Sequence, residues 1–321
     1  MIDEHRERPG AMPLGALFLR FPFSPGGIDW SRGGMCMKRT VAVVGGDMRQ
    51  VRLAELLLND GWLVCTWGLD QGGGPNAVPL DQALGAELLI LPLPVCRGGG
   101  LTLPLTDTAL GAEQLWPRLR YDQLLLGGMT KELSPRLMLD FGLTLLDYYD
   151  REEVQVANAV PTAEGAIQRA MEATEETLQN CRCLVIGYGR IGKVLAHRLR
   201  GLGTQVSVSA RRYSDRAWIE AFGYEPLATD RLGAELGDFD VIFNTVPALI
   251  LDAGRLERTK AECVILDLAS LPGGVDLDAA RRLGRRVIRA GGLPGIVAPR
   301  AAAAAIRDGV YHILEERGEP I

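Results

Sequence analysis

Three glycines, Gly187, Gly189 and Gly192, close the apolar run Cys183 to Ile186 and stand directly before an amphipathic segment that opens at Lys193. Between a strand and a helix, that spacing suits the binding of a pyrophosphate. Gly187 permits the tight turn, Gly189 lets the backbone approach the anion, and Gly192 lets the helix lie close to the strand. Free N–H groups and the helix dipole then face the negative charge. Tyr188, Arg190 and Ile191 belong to the same turn. The next strand, Gln205 to Ser209, distinguishes the dinucleotides. NAD calls for an Asp or Glu roughly 20 residues past the first glycine, to accept from the ribose hydroxyls. Here the strand runs into Ala210-Arg211-Arg212 with no carboxylate, and the two arginines can hold a 2′-phosphate by charge-assisted bonds. NADP is the expected cofactor; a solvated basic loop is the alternative reading.

The chain of 321 residues is long enough for two domains, each with its own core. A net charge of −5 supplies no basic field, which argues against nucleic acid; Arg281, Arg282, Arg285 and Arg286 read as a solvated helix face. Six cysteines without metal-ligand spacing fit a reducing cytoplasm, and no apolar run reaches the ~20 residues of a membrane span. Residues 1–36 read as a disordered extension or a mis-assigned start, with Met35 or Met37 as the alternative beginning.

From Thr40 the pattern is alternating strand and helix. Thr40 to Val44, Leu63 to Trp67, Glu87 to Leu91, Asp122 to Leu126 and Leu143 to Leu145 read as strands, with a helix from Gln50 to Asp60. The turn Gly45 to Arg49 and the segment Pro92 to Val95 follow strand ends, where open α/β sheets bind ligands. Pro161 suggests a helix start, with Thr162 as N-cap and Glu164 in the first turn of a bridging helix to Leu178. Beyond the glycine turn, strands ending at Asn244-Thr245-Val246-Pro247 and at Asp267 place those residues and Ala269 beside the cofactor. The loop holding Gly292, Leu293 and Pro294 also borders it, and Arg300 opens a final Ala-rich helix. These features predict a substrate domain of residues 37–157 plus 298–321 and a cofactor domain of residues 158–297.

Taken together, Gly45-Gly-Asp-Met-Arg-Gln50, Asn158-Ala-Val-Pro-Thr-Ala-Glu-Gly165, Ile186-Gly-Tyr-Gly-Arg-Ile-Gly192, Asn244-Thr-Val-Pro247, Leu266-Asp-Leu-Ala-Ser-Leu-Pro-Gly-Gly274 and Gly292-Leu-Pro-Gly-Ile-Val-Ala-Pro299 resemble the A-subunit family of dipicolinate synthase. The resemblance spans about Met37 to the C-terminus. It implies NADP-dependent oxidation of a dihydrodipicolinate-type substrate to dipicolinate for endospores, in the mother-cell cytoplasm. It also implies the flavoprotein B-subunit of dipicolinate synthase as partner; a homo-oligomer is a further expectation. The implied fold is α/β, two Rossmann-like domains with parallel sheets separated by a cleft, similar to the 2-hydroxyacid dehydrogenases. Those enzymes use a catalytic Arg and His, whereas this chain has Ser270 after Ala269, Arg300 after Pro299, and only His5, His197 and His312. Hydroxyacid oxidation is thereby disfavoured.

Oxidising a dihydropyridine removes a hydride and a proton, and aromatisation drives it, so a protein must chiefly orient two rings and hold two carboxylates. Arg49 and Arg300 are the candidate carboxylate partners, Ser270 and Thr162 candidate hydroxyl donors, and Glu164, then Asp47, candidate bases. The alternatives are another NADP-dependent dehydrogenase of a small carboxylic acid, or a non-catalytic NADP-binding protein.

Overall fold

The computed structural model describes residues 39–319; the extension read over residues 1–36, and the question of the start, lie outside them. The first sheet and its cover comprise β1 (Thr40–Val44), α1 (Met48–Asn59), β2 (Leu63–Trp67), α2 (Leu80–Leu84), β3 (Leu88–Ile90), β4 (Cys96–Arg97), β5 (Gly100–Leu101), α3 (Ala112–Leu115), β6 (Leu124–Gly127), α4 (Ser134–Phe141) and β7 (Leu145–Asp147). A long helix, α5 (Glu152–Ala173), leads to β8 (Arg182–Ile186), α6 (Arg190–Gly201), β9 (Gln205–Ala210), α7 (Tyr213–Ala221), β10 (Glu225–Ala228), β11 (Val241–Asn244), α8 (Ala253–Glu257), β12 (Val264–Asp267), α9 (Leu277–Arg282), β13 (Arg286–Arg289), α10 (Leu293–Val297) and α11 (Pro299–Glu316).

Both large sheets are parallel throughout. The first runs β2-β1-β3-β6-β7 and the second β10-β9-β8-β11-β12-β13. The second is the 3-2-1-4-5-6 order of dinucleotide folds, and the first is the 2-1-3-4-5 order of the flavodoxin type. Each order reverses once, between β1 and β3 in the first sheet and between β8 and β11 in the second. At such a reversal the two connections leave in opposite directions and open a crevice beyond the strand ends. The glycine turn and the Asn244 loop flank one crevice; the Gly45 turn and Pro92 to Val95 flank the other.

Continuous apolar strands explain why helices cover both faces. Val41 to Val44 are fully buried, as are Cys183 to Ile186 and Val241 to Phe243, the pattern of parallel strands buried on two sides. The C-terminal helix closes the first sheet. Ala303, Ile306, Val310, Ile313 and Leu314 of α11 join Val51, Leu53 and Leu57 of α1 in one apolar cluster. The Trp62 indole donates to the Tyr311 hydroxyl at 3.0 Å, which donates to Asp60 at 2.8 Å. α5 packs against α6, α10 and α11 and so touches the cover of both sheets.

Several sequence expectations shift. The helix expected to begin at Pro161 begins at Glu152 and carries Pro161 inside it. Burial of Ala159, Pro161, Ala163, Gly165 and Ala166 between neighbouring helices outweighs the missing proline N–H. The last strand of the first sheet is Leu145–Asp147, two residues later than Leu143 to Leu145. Arg285 and Arg286 are not a solvated helix face. Arg285 donates to the carbonyls of Leu256 and Glu257, and Arg286, at the start of β13, to that of Ala173. Among the described residues no helix is long and apolar enough to cross a membrane.

If α11 is integral to the first layer, Leu314→Ala, at a fully buried position, should lower unfolding free energy by about 2–5 kcal/mol. Urea unfolding followed by circular dichroism measures this. A change within error would mean that the helix contributes little to that core.

Candidate functional site

The turn after β8 is shaped by close contacts, and the first turn of the helix that follows is left open. Gly187 has φ +99°, and a Cβ there would meet Thr245 Oγ1 and Val246. A Cβ on Gly192 would collide with the Gly187 carbonyl oxygen, so the close seating of α6 on β8 requires glycine. Gly189 differs, because a Cβ there would meet nothing within 4 Å. Gly189 is also the N-cap of α6 and no side chain caps the helix. The N–H groups of Arg190, Ile191 and Gly192 have no protein acceptor among the described residues, and the space beside Gly189 is open. An anion seated there receives oriented donors and the positive end of the helix dipole. The residues of this turn thus fit a dinucleotide pyrophosphate.

The corresponding turn after β1 is closed. Gly46 N donates to Thr102 O at 2.9 Å, and a Cβ on Gly45 would strike Leu103. Helix α1 is capped by Asp47 and Gln50 in a reciprocal capping box. The sequence assigns this turn to the substrate, yet its backbone donors are already engaged. Side chains are what it presents.

Around the open turn, Tyr188 is buried with the Lys193 ammonium 5.4 Å from its ring centre. Arg190 reaches across to Glu152 at the start of α5, with Nε donating at 2.8 Å; Ile191 packs on the core below. At the end of β9, Ala210 is buried while Arg211 and Arg212 are exposed, and neither guanidinium has a protein acceptor among the described residues. On the other side of the turn, Thr245 Oγ1 donates to Ile186 O at 2.9 Å. Asn244 and Asp267, expected to contact cofactor, are buried and engaged with each other: Asn244 Nδ2 donates to Asp267 Oδ1 at 2.8 Å and to Val246 O at 3.0 Å. Asp267 also accepts from Gly274 N at 3.1 Å. Their side chains fix the loops that hold Val246, Pro247 and Ala269, and are not free for a ligand.

The candidate chemistry residues divide sharply. Arg49 is only 6% exposed; its Nε and Nη2 donate to Asp47 at 2.9 and 2.8 Å, and Nη2 to Leu93 O at 2.6 Å. Burial works to lower its pKa, and the Asp47 carboxylate together with Tyr148 and Tyr149 more than offsets this, so Arg49 remains a cation. It is a clamped charge rather than a free one. Asp47 is at once N-cap, anchor of Arg49 and neighbour of α10: a Cβ on Gly295 would lie 2.9 Å from its carboxylate. Thr162 is no N-cap; it sits mid-helix and donates to Asn158 O at 2.7 Å. Glu164 is not in a first turn either. It is exposed and paired with Arg198 at 3.1 Å, eight residues along α6 from Arg190, or about 12 Å from the open turn. Ser270 and Arg300 are exposed, and neither side chain has a partner among the described residues. Gly292, Leu293 and Pro294 form the N-terminal end of α10, with Leu293 and Pro294 buried.

Two side chains join the site without a signal in the sequence strong enough to single them out. Asn158 Nδ2 donates to the Tyr149 hydroxyl at 3.2 Å. Burial raises the Tyr149 pKa, with Arg49 and Arg190 opposing, so the phenol stays neutral. Its one mark in the sequence is an aromatic pair, Tyr148-Tyr149, directly after a short strand. The exposed His197 lies on α6, and His312 Nδ1 lies 3.3 Å from Glu153.

The glycine geometry makes a paired prediction. Gly189→Val should leave the melting temperature nearly unchanged and weaken dinucleotide binding at least about tenfold, because the side chain fills the anion's place. Gly192→Ala should destabilise the fold by about 1–3 kcal/mol through overpacking. Thermal melts and fluorescence titration with NADPH measure both. Equal behaviour of the two variants would contradict the assignment.

Comparison with known proteins agrees with this geometry. Residues 40–149 match the N-terminal domain of the dipicolinate synthase A-subunit, and residues 150–270 match the "D-isomer specific 2-hydroxyacid dehydrogenase, NAD binding domain". The A-subunit of dipicolinate synthase from Bacillus subtilis is 30% identical over 287 residues, covering 86% of this chain and 96% of its own. The crystal structure of the dipicolinate synthase A-subunit from Bacillus halodurans superposes with a TM-score of 0.79 at 29% identity, covering 89% of this chain and 100% of that one. The crystal structure of the Bacillus subtilis counterpart gives 0.75 at 29% identity, covering 87% and 96%. With a dehydrogenase-type NAD-binding domain carrying the open glycine turn and a first domain that matches the N-terminal domain of these proteins, the chain belongs to the A-subunit family of dipicolinate synthase.

Proposed function

We propose that this protein is an oxidoreductase that removes a hydride from a dihydrodipicolinate-type substrate, with NADP as acceptor, to give dipicolinate. The observation that carries the reading is the uncapped first turn of α6 beside two unengaged guanidinium groups, Arg211 and Arg212. No carboxylate stands at the end of β9 to repel a 2′-phosphate. Bound there, the nicotinamide would supply the hydride acceptor.

The chain's own residues supply orientation. The first layer, completed by α11, takes the substrate, and the second takes the dinucleotide. Arg300, unengaged at the start of α11, holds one substrate carboxylate; the clamped Arg49 offers its remaining donors to the other; Ser270 adds a hydroxyl. Glu164 is paired with Arg198, about 12 Å along α6 from the open turn; Asp47, which also anchors Arg49, is the carboxylate at the first crevice and takes the departing proton. Tyr149 and Asn158 offer a neutral O–H and an amide oxygen between the two. By likeness to the family, a flavoprotein B-subunit is the partner, the chain forms a homo-oligomer, and the setting is the mother-cell cytoplasm of a sporulating bacterium.

Anaerobic incubation of the purified chain with NADP and freshly generated dihydrodipicolinate tests the reaction. NADPH and the ultraviolet absorbance of the aromatic product should rise together; NADP binding without either would overturn it. Replacing Arg211 with Asp and Arg212 with Ile should cost NADP about 10–100-fold in affinity and favour NAD. An unaltered NADP constant would remove the phosphate clamp from the account.

A further inference from the structure

One cavity shares only Leu293 with the residues placed at the crevice. It has a volume of about 310 Å³ and lies along the edge strand β13, walled by the last turn of α5 and by α10. Three guanidinium groups, Arg169, Arg286 and Arg289, border it against one carboxylate, Glu172, in a chain whose net charge is −5. Arg169 gives a donor to Glu172 at 2.9 Å and Arg286 one to the Ala173 carbonyl, whereas Arg289 has no acceptor among the described residues. Asp267 also lies near the Arg289 guanidinium, across Gly273, without an ion pair between them, so cations still outnumber acids here and favour an anion. The rest of the wall is apolar, with Leu293 buried and Ile296 61% exposed. An exposed isoleucine beside one unengaged arginine suits a ligand with a flat apolar body and a charged end, and the volume is at the small end of ligand sites.

We propose that this cavity is a second, non-catalytic binding site for a small planar carboxylate, with Arg289 as its main charge partner and Ile296 against its ring. The site is placed to be felt at the crevice. Leu293 and Ile296 share the face of α10 that lines the cavity, while Gly295, between them, abuts the Asp47 carboxylate that clamps Arg49. With no side chain at Gly295 to act as a cushion, a shift of α10 reaches Asp47 directly. Binding itself does not depend on the oxidation assigned to the crevice.

Calorimetric titration of the full chain with pyridine-2,6-dicarboxylate tests the site. The proposal expects one equivalent that persists in Arg300→Ala, weakens at least about tenfold in Arg289→Ala and in Ile296→Glu, and is partly restored in Arg289→Lys. Because Ile296 is exposed, Ile296→Glu keeps the test decisive should Arg289→Ala fail to fold, which a thermal melt reports. Unchanged binding in Ile296→Glu, loss of all binding in Arg300→Ala, or full displacement by equimolar inorganic phosphate would each overturn it. The oxidation assay is read separately, so failure of one does not imply failure of the other.

Discussion

The first turn of α6 keeps its N–H groups without an acceptor among the described residues, beside the open side of Gly189, and that arrangement rests on one close contact. Gly192 has no side chain, so the helix can settle onto the Gly187 carbonyl. A helix held there is aimed at the crevice between β8 and β11. Its dipole places roughly half a positive charge at that end. Leaving such donors exposed to solvent costs little, whereas burying them without partners would be expensive. The turn is therefore stable empty and ready for a phosphate. The first sheet has the same strand–turn–helix beginning with the opposite ending: Asp47 and Gln50 cap α1, and Thr102 takes the Gly46 donor. Two similar turns thus serve different ends because one is capped.

Helices α5, α10 and α11 join the two halves. α5 lies against α6 on one side and α11 on another, and α10 packs against both α5 and α1. Gly295 of α10 lies beside Asp47, and so brings the second half of the chain against the only buried arginine clamp among the described residues. Arg49 is immobilised by Asp47 and the Leu93 carbonyl, which suits a fixed electrostatic post more than a side chain that must swing. Arg300, Arg211 and Arg212 are the exposed, unengaged counterparts. Fixed charge at the centre and free charge at the ends is a workable way to orient a molecule with several anionic groups.

Much of this is legible in the residues. Apolar runs such as Val41 to Val44 and Cys183 to Ile186 mark buried parallel strands, and the glycine spacing marks the turn with its strand and helix. What misleads is local. Pro161 reads as a helix breaker, but packing on several sides carries α5 through it; the acidic pair Glu152-Glu153, favourable to a helix dipole, is the better sign of its start. That displacement moves Thr162 and Glu164 from an expected helix start to mid-helix, where one bonds its own backbone and the other Arg198. Side-chain partners are harder still. Asn244 and Asp267 stand at strand ends where ligands bind, yet satisfy each other across neighbouring strands, a pairing that depends on sheet order. The β4–β5 hairpin, only two residues a strand, carries no periodic signal, and it leads to the Thr102 and Leu103 that close the first turn.

The central claim is that the dinucleotide lies across the uncapped turn. A crystal structure of the chain with NADP bound tests it most directly. The account predicts pyrophosphate oxygens within hydrogen-bond distance of the Arg190 and Ile191 amides and a 2′-phosphate against Arg211 or Arg212. Clear density for the dinucleotide elsewhere, with the turn left to solvent, would contradict it.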